Sequence, residues 1–229
     1  MRPHKNVYWC IPNKPDAEFV ANMEDVLDVY ERPFDEDVPV VCMDEKPYQL
    51  LEDTREKLPM RPGDDEKTDY EYIRHGTCSI FAFIEPLAGI HHVSVREHRT
   101  AKDWAEEIRY LADNVYPDKK KIILVMDNLN THVKGSLYKA FPPEEARRIA
   151  CKLEFHYTPK HGSWLNIAEI ELHVMTKQCL SRRIQNIEFL RKELAAWESD
   201  RNNSYAKVSW HFRSKDAREK LASLYPSLE

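Results

Sequence analysis

The sequence has no long hydrophobic run. No unbroken apolar stretch is longer than the segment IILVM at 122–126, whereas a membrane-spanning helix needs roughly 20 apolar residues. Arg2 and Lys5 stand near the start, but no apolar segment follows them. The sequence therefore predicts neither a membrane span nor a secretory signal, and a membrane is not expected as a partner.

Cysteine is scarce, and its spacing is not that of a cross-linked or zinc-binding domain. The five cysteines form no C-x-x-C pair and are odd in number, which argues against a disulfide framework and for a reducing, cytoplasmic compartment. Internal repeats and low-complexity tracts are also lacking, which excludes solenoid and fibrous architectures.

A large excess of positive charge is lacking as well. The 34 basic minus the 39 acidic residues give a net charge of −5, which excludes a uniformly basic surface. A localised basic groove is still allowed, and a cluster of buried acids would itself make the sum negative.

The 229 residues, 42% of them hydrophobic, favour one large globular unit. Helices are expected where apolar residues recur at helical spacing after a capping residue, beginning at Asp16, Thr100, Ser163, Asn186 and Ser214, with shorter ones at 133–140 and 142–151. Strands are expected at 38–45, 76–85, 90–96, 121–128 and 153–158. The charged, proline-containing segment 46–75 is expected to be a loop.

This order of elements defines the fold class. Residues 76–85 and 90–96 are joined by a short turn and form a predicted hairpin, whereas the later strands alternate with helices. We therefore expect an α/β protein with a mixed five-stranded sheet flanked by helices.

Two of the predicted strands end in aspartate. Asp44 and Asp127 each follow a buried apolar run, and parallel neighbouring strands joined by a right-handed crossover would bring both carboxylates to one edge of the sheet. Glu169, near the start of the helix after the next strand, would reach the same edge. The three acids are thus candidates for one site.

Three carboxylates in one place repel one another, and their pKa values rise unless a cation is bound. Mg²⁺ takes oxygen ligands and usually combines one or two carboxylates with water and substrate phosphate. Two such ions stabilise the attacking and leaving oxygens of an in-line phosphoryl displacement. The pattern therefore indicates metal-dependent cleavage of a polynucleotide, with no covalent protein nucleophile.

Three strings carry a resemblance to a known family: VCMDEKP at 41–47, LVMDNLNTH at 124–132 and TPKHGSWLNIAEIE at 158–171. They resemble the DDE transposase domain of bacterial insertion sequences in the mariner-like superfamily. The resemblance extends over most of the chain, and it implies a ribonuclease-H-like fold. Residues 1–37 would then be an N-terminal helical lead-in or linker, and 38–229 the catalytic domain.

The resemblance also implies an activity. Asp44, Asp127 and Glu169 would be the catalytic and metal-binding triad of a DNA endonuclease and strand transferase. Its cofactor would be Mg²⁺, with Mn²⁺ as a substitute and two ions when DNA is bound. Its substrates would be transposon-end DNA and target DNA, and a homodimer on DNA is expected.

Relatives of full length carry N-terminal helix-turn-helix segments that read the transposon ends. About forty residues precede the first predicted strand, too few for such segments. We therefore expect the DNA-reading part to be encoded separately or to be missing.

Two acidic neighbours compete with the triad. At 100° per residue, Glu171 falls between the apolar Ile167 and Met175, so it would be the more buried acid of its helix. The family pattern WLN-x-AE nevertheless favours Glu169. Glu45 adjoins Asp44 but points to the opposite face of the strand, and we interpret it as a solvated or ion-paired neighbour.

Candidate DNA contacts lie around the triad and on the C-terminal helices. His132 would contact substrate phosphate or a metal-bound water, and Trp164 would stack on a base or, alternatively, pack in the core. Positive groups on the C-terminal helices would hold the phosphate backbone, or form ordinary helix surface. The full set of candidates is His132, Lys160, His161, Trp164, Asn166, Arg182 and Arg183.

Two other functions stay open from the sequence. One is a ribonuclease-H-like nuclease that cuts without strand transfer. The other is an inactive DNA-binding remnant of a decayed element. The lack of a DNA-reading domain favours this possibility, and the presence of all three acids argues against it.

Overall fold

The computed structural model describes residues 12–227, and Arg2 and Lys5 lie outside this range. Its strands are β1 (Val40–Asp53), β2 (Tyr72–Glu85), β3 (Ile90–Arg96), β4 (Ile122–Met126) and β5 (Leu153–Tyr157). Its α-helices are α1 (Ala17–Tyr30), α2 (Ala101–Tyr110), α3 (Lys134–Ala140), α4 (Pro143–Lys152), α5 (Ile167–Gln178), α6 (Ile187–Asn203) and α7 (Ser214–Lys220).

The strands form one sheet in the order β3-β2-β1-β4-β5. β2 pairs antiparallel with both β1 and β3, whereas β4 pairs parallel with β1 and β5. The predicted mixed five-stranded sheet is therefore confirmed, including the hairpin between β2 and β3.

The expected loop at 46–75 is wrong at both ends. β1 continues to Asp53 and β2 begins at Tyr72, and the two residues pair with each other. β1 pairs with β4 only as far as Cys42, so the rest of β1 has a single neighbouring strand. Its charged side chains can face solvent there, and Pro47, which has no N–H, is tolerated.

Helices cover both faces of the sheet because side chains alternate along each strand. From β4, Ile123 and Val125 enter the core beneath α1, α5 and α6. Ile122, Leu124 and Met126 enter the core beneath α2, α3 and α4. Burial on both faces explains why β4 is apolar throughout.

Local capping sets most of the predicted helix starts. Asp16 accepts a hydrogen bond from the backbone N–H of Phe19, Thr100 and Asp103 form a capping box, and Asn186 accepts from Phe189 N–H. At Ser163 the chain first makes a short 3₁₀ turn, and α5 begins only after Asn166.

α1 packs into the same core as the sheet. Its Met23, Val26 and Leu27 side chains are completely buried there. The domain division at residue 38 stays a prediction. Within the described residues, no helix combines the length and the apolar character needed to cross a membrane.

Candidate active site

Asp44 and Asp127 lie side by side at one edge of the sheet. The parallel pairing of β1 and β4 runs through Cys42 and Val125. Asp44 and Asp127 each lie two residues further along the chain, Asp44 within β1 and Asp127 directly after β4. Both side chains are partly exposed. The predicted convergence of the two carboxylates is therefore present, but Asp44 lies within β1 and not at its end, because β1 continues to Asp53.

Glu169 is brought to this edge by the start of α5. The side-chain amide of Asn166 donates to the backbone carbonyl of Met43 at 2.9 Å, next to Asp44 in sequence. The side-chain oxygen of Asn166 accepts from Ala168 N–H at 3.1 Å and caps the helix. Glu169, in the first turn of α5, is solvent-exposed.

The electrostatics of Asp44 show that the three acids share one environment. Burial of the Asp44 carboxyl is the largest influence and raises its pKa to about 7, and the charges of Asp127 and Glu169 add to the rise. The backbone N–H of Glu45, which donates to Asp44 at 2.8 Å, opposes it. Such a site favours a bound cation.

The donor set suits a hard cation that also binds substrate. Among residues 12–227, no group of three or more histidine, cysteine, aspartate or glutamate side chains could hold a metal ion by itself. Mg²⁺ does not need such a group, because it usually keeps several waters and combines one or two carboxylates with phosphate oxygens. The neighbouring carboxylates of Asp44 and Asp127 fit this mode of binding in ligand type and in number.

His132 is not placed to contact phosphate. Its side chain is 1% exposed and lies between two carboxylates, with Nδ1 2.6 Å from Asp127 Oδ1 and Nε2 2.7 Å from Glu45 Oε2. Burial alone would lower the pKa of His132, but the hydrogen bonds to Asp127 and Glu45 raise it to about 9. The expected phosphate contact is therefore corrected to an internal ion pair.

Glu45 has a role that the sequence did not show. It points away from Asp44, as the strand alternation predicts, but its side chain is only 3% exposed. The interpretation of Glu45 as ion-paired holds, whereas the solvated alternative is wrong. No local sequence signal links it to His132, because 87 positions separate the two residues.

Asn166 and Trp164 also differ from the expected DNA contacts. Asn166 is 2% exposed and uses its amide for the cap and the Met43 carbonyl, so it has a structural task. Trp164 is half-buried against the core, and its ring meets that of Phe212 edge-on at 5.8 Å between centroids. Trp164 therefore packs in the core, which is the alternative to stacking on a base.

Lys160 and His161 do lie beside the acids. Both are exposed and line a cavity of about 710 Å³ that also includes Asp127 and Asn128. The cavity lies between the start of α1 and the segment after β5. Lys160 and His161 are therefore exposed predicted DNA contacts at the candidate site, whereas His132 and Asn166 are buried there.

Arg182 and Arg183 form hydrogen bonds with other parts of the protein, away from the three acids. Arg183 donates to Asp53 Oδ1 at 2.7 Å and to backbone carbonyls of the β1–β2 connection. Asp53 is roughly 30 Å along β1 from Asp44, at about 3.3 Å per residue. Arg182 pairs with Glu193 and lies over the ring of Phe189. Neither guanidinium belongs to the acid cluster.

Glu171, the competitor of Glu169, is buried as its apolar neighbours predict. Its side chain is 3% exposed and is held by His91 Nε2 at 3.1 Å and Arg201 at 2.6 Å. Burial would raise the pKa of Glu171, but these two hydrogen bonds outweigh it and lower the pKa. Glu171 thus joins α5 to β3 and α6.

Comparisons with known proteins agree with this geometry. Residues 39–191 match the family described as DDE superfamily endonuclease. No curated protein matches the chain.

Similar solved structures come from the Mos1 mariner transposase. Its catalytic domain is 12% identical with a TM-score of 0.59, over 96% of this chain and 100% of that one. A Mos1 paired end complex with Mn is 16% identical with a TM-score of 0.62, over 100% and 69%. The Mos1 strand transfer complex is 15% identical with a TM-score of 0.60, over 98% and 68%. The expected ribonuclease-H-like fold is thereby confirmed.

Proposed function

The chain belongs to the DDE superfamily of endonucleases, and from this premise we propose that it is the catalytic domain of a transposase. It cuts DNA at the ends of a mobile element and joins those ends to target DNA, using divalent metal ions.

One observation carries the proposal. The carboxylates of Asp44, Asp127 and Glu169 come from β1, β4 and α5, and the charges of the last two act on the first. Concentrated negative charge at a strand edge destabilises a protein unless a cation offsets it. The ion pair with His132 offsets the charge of Asp127, and a divalent cation would offset the negative charge that remains on the other carboxylates.

Asp44, Asp127 and Glu169 would hold Mg²⁺, or Mn²⁺ in its place. When bound, the metal supplies activation of a water or a 3′-hydroxyl and stabilisation of charge on the phosphate oxygens. Asp44, within β1, and Asp127, directly after the neighbouring strand β4, would set the position of the cation. Glu169, on the exposed first turn of α5, completes the donor set from the solvent side.

Lys160 and His161 would position the substrate. Both lie on the wall of the cavity beside Asp127, where a phosphodiester backbone can pass next to the acids. A lysine there attracts phosphate through its charge. Because a backbone contact reads no sequence, these residues supply affinity and register, not specificity.

The partners are proposed from the similar solved structures. Two of these are a Mos1 paired end complex with Mn and the Mos1 strand transfer complex. We accordingly propose transposon-end DNA and target DNA as the partners of this chain. An element has two ends, and cutting both needs two sites, so we propose a homodimer on DNA. A helix-turn-helix segment would read the end sequence.

Nicking of a supercoiled plasmid in Mn²⁺ tests the nuclease activity. Asp127→Asn removes one ligand charge, and we expect nicking to fall by about 100-fold or more, consistent with loss of a metal-held group. Asp113→Asn is the matched control, since Asp113 pairs with Arg148 away from the triad. Equal activity of Asp127→Asn and the wild type would remove Asp127 from the site.

A second assay separates a transposase from a simple nuclease. A labelled oligonucleotide with a free 3′-hydroxyl is incubated with plasmid and Mn²⁺, and covalent joining is measured on a denaturing gel. We expect joining that Asp127→Asn abolishes. Nicking without joining would indicate a nuclease that lacks strand transfer.

A further inference from the structure

The ring of His132 is fixed between Asp127 and Glu45. Its Nδ1–H donates to Asp127 Oδ1 at 2.6 Å, and its Nε2–H donates to Glu45 Oε2 at 2.7 Å. The other oxygen of Glu45 lies 3.9 Å from the guanidinium of Arg99. These contacts form a continuous chain of charged groups that ends on one carboxylate of the proposed triad.

The surroundings prevent the ring from turning. The side chains of His132 and Glu45 are 1% and 3% exposed. The indole of Trp104 stacks on the imidazole, with 5.8 Å between centroids and planes 26° apart. The hydroxyl of Tyr157 donates to the backbone carbonyl of His132 at 2.9 Å. The histidine is therefore held through its ring and through its backbone.

Asp127 needs such support because of its place in the chain. It is the first residue after β4, so no strand pairing fixes its backbone, and its side chain is 36% exposed. An unrestrained aspartate at this position would sample several rotamers. A hydrogen bond to one oxygen restricts the carboxylate to one orientation.

We propose that His132 is a positioning residue that orients the Asp127 carboxylate for the metal, and that Glu45 is the anchor that holds His132. This inference rests on the proposed function, because it assumes that Asp127 is a metal ligand. Hydrogen-bonded partners of a ligand commonly contribute 10–100-fold to metal affinity. Neither His132 nor Glu45 touches substrate, so neither is a catalytic residue.

Three substitutions distinguish an effect on the orientation of the Asp127 carboxylate from an effect on the overall stability of the protein. His132→Ala removes both hydrogen bonds. His132→Asn places an amide N–H near the position of Nδ1, which keeps the bond to Asp127 and gives up the one to Glu45. Glu45→Gln keeps an acceptor for Nε2 without the charge. If His132→Ala fails to fold, the two conservative variants can still be measured.

The chain provides a matched control in His156. This histidine is also buried between two carboxylates, with Nδ1 2.7 Å from Asp25 and Nε2 3.0 Å from Glu154. It joins α1 to β5, and its side-chain hydrogen bonds within residues 12–227 go to Asp25 and Glu154. His156→Ala therefore removes a comparable pair of hydrogen bonds and leaves the one at Asp127 in place.

The readout is the dissociation constant of Mn²⁺, measured without DNA from the electron paramagnetic resonance signal of the free ion. We expect His132→Ala to bind Mn²⁺ about 10–100-fold more weakly than the wild type, and His132→Asn and Glu45→Gln to stay within about threefold. His156→Ala should bind as the wild type does.

Two results would contradict the role of His132, and a third would contradict the proposed metal site itself. Unchanged affinity in His132→Ala, with affinity lost in Asp127→Asn, would show that Asp127 needs no positioning residue while the metal site stands. An equal loss in His132→Ala and His156→Ala would assign the effect to stability. If Asp127→Asn itself binds Mn²⁺ as the wild type does, the proposed metal site is wrong, and this inference fails with it.

Discussion

The side-chain amide of Asn166 donates a 2.9 Å hydrogen bond to the backbone carbonyl of Met43. Through this bond the first turn of α5 is attached to β1 directly before Asp44. The same side chain caps α5. One residue thus sets where the helix begins and where Glu169 lies relative to the two aspartates.

Asn166→Ala should therefore reduce stability and activity together. We expect a loss of about 1–3 kcal/mol in the free energy of unfolding, from the cap and from the buried hydrogen bond. Mn²⁺-dependent nicking should fall because Glu169 loses its fixed position. Urea denaturation and plasmid nicking measure the two effects.

Asn186→Ala is the control for this prediction. Asn186 caps α6 through a hydrogen bond from Phe189 N–H at 2.7 Å. Within the described part of the chain, its side chain has no hydrogen bond to β1 or β4. Its loss should cost about 1 kcal/mol of stability and leave nicking unchanged. If Asn186→Ala reduced nicking as much as Asn166→Ala, positioning of Glu169 would not be the cause.

Glu169→Gln and Glu171→Gln should separate function from stability. Glu169 is exposed and near Asp44, so Glu169→Gln should abolish nicking with a stability change below about 0.5 kcal/mol, as for most surface sites. Glu171→Gln weakens charged hydrogen bonds to His91 and Arg201 and should cost about 1–3 kcal/mol, with nicking retained at temperatures where the protein is folded. The reverse order of effects would make Glu171 the third acid.

The position of β4 and several helix starts could be predicted because their signals are local. Ile122–Met126 is apolar throughout and is followed by Asp127, and the capping residues Asp16 and Asn186 precede regular apolar spacing. Each of these patterns lies within one element. The parallel placement of the two aspartates then follows from the crossover rule.

The hydrogen bonds between buried histidines and carboxylates could not be predicted because their partners are distant in sequence. Glu45 and His132 are 87 positions apart, and His91 and Glu171 are 80 apart. A histidine in a polar segment such as DNLNTH has no local signal for burial. The groups that bury His132, among them the indole of Trp104 and the carboxylate of Glu45, are distant from it in sequence.

The extension of β1 has the same explanation. Residues 46–53 lack any apolar period, and their strand conformation comes from pairing with β2, whose partner residues begin at Tyr72. The context of the neighbouring strand overrides the local preference for a loop.

Acid should weaken the hydrogen bonds that Glu154 of β5 forms with His156, Lys121 and Arg32. Hydrogen bonds from His156, Lys121 and Arg32 lower the pKa of Glu154 to about 2, compared with about 4.3 in an unfolded chain. Because the pKa is lower in the folded state, the ionised carboxylate stabilises the protein above about pH 4.3, and this contribution is lost as the pH falls towards about 2.

Comparison of the wild type with Glu154→Gln isolates this contribution. Above about pH 6 the wild type should be more stable by about 1–2 kcal/mol, reduced from the full pKa effect because the carboxylate is partly solvated. Near about pH 2 the two proteins should be equally stable, since a protonated glutamate and a glutamine carry the same charge. Urea denaturation at both pH values measures the difference. A difference that does not change with pH would mean that Glu154 stabilises the protein by packing and not by its charge.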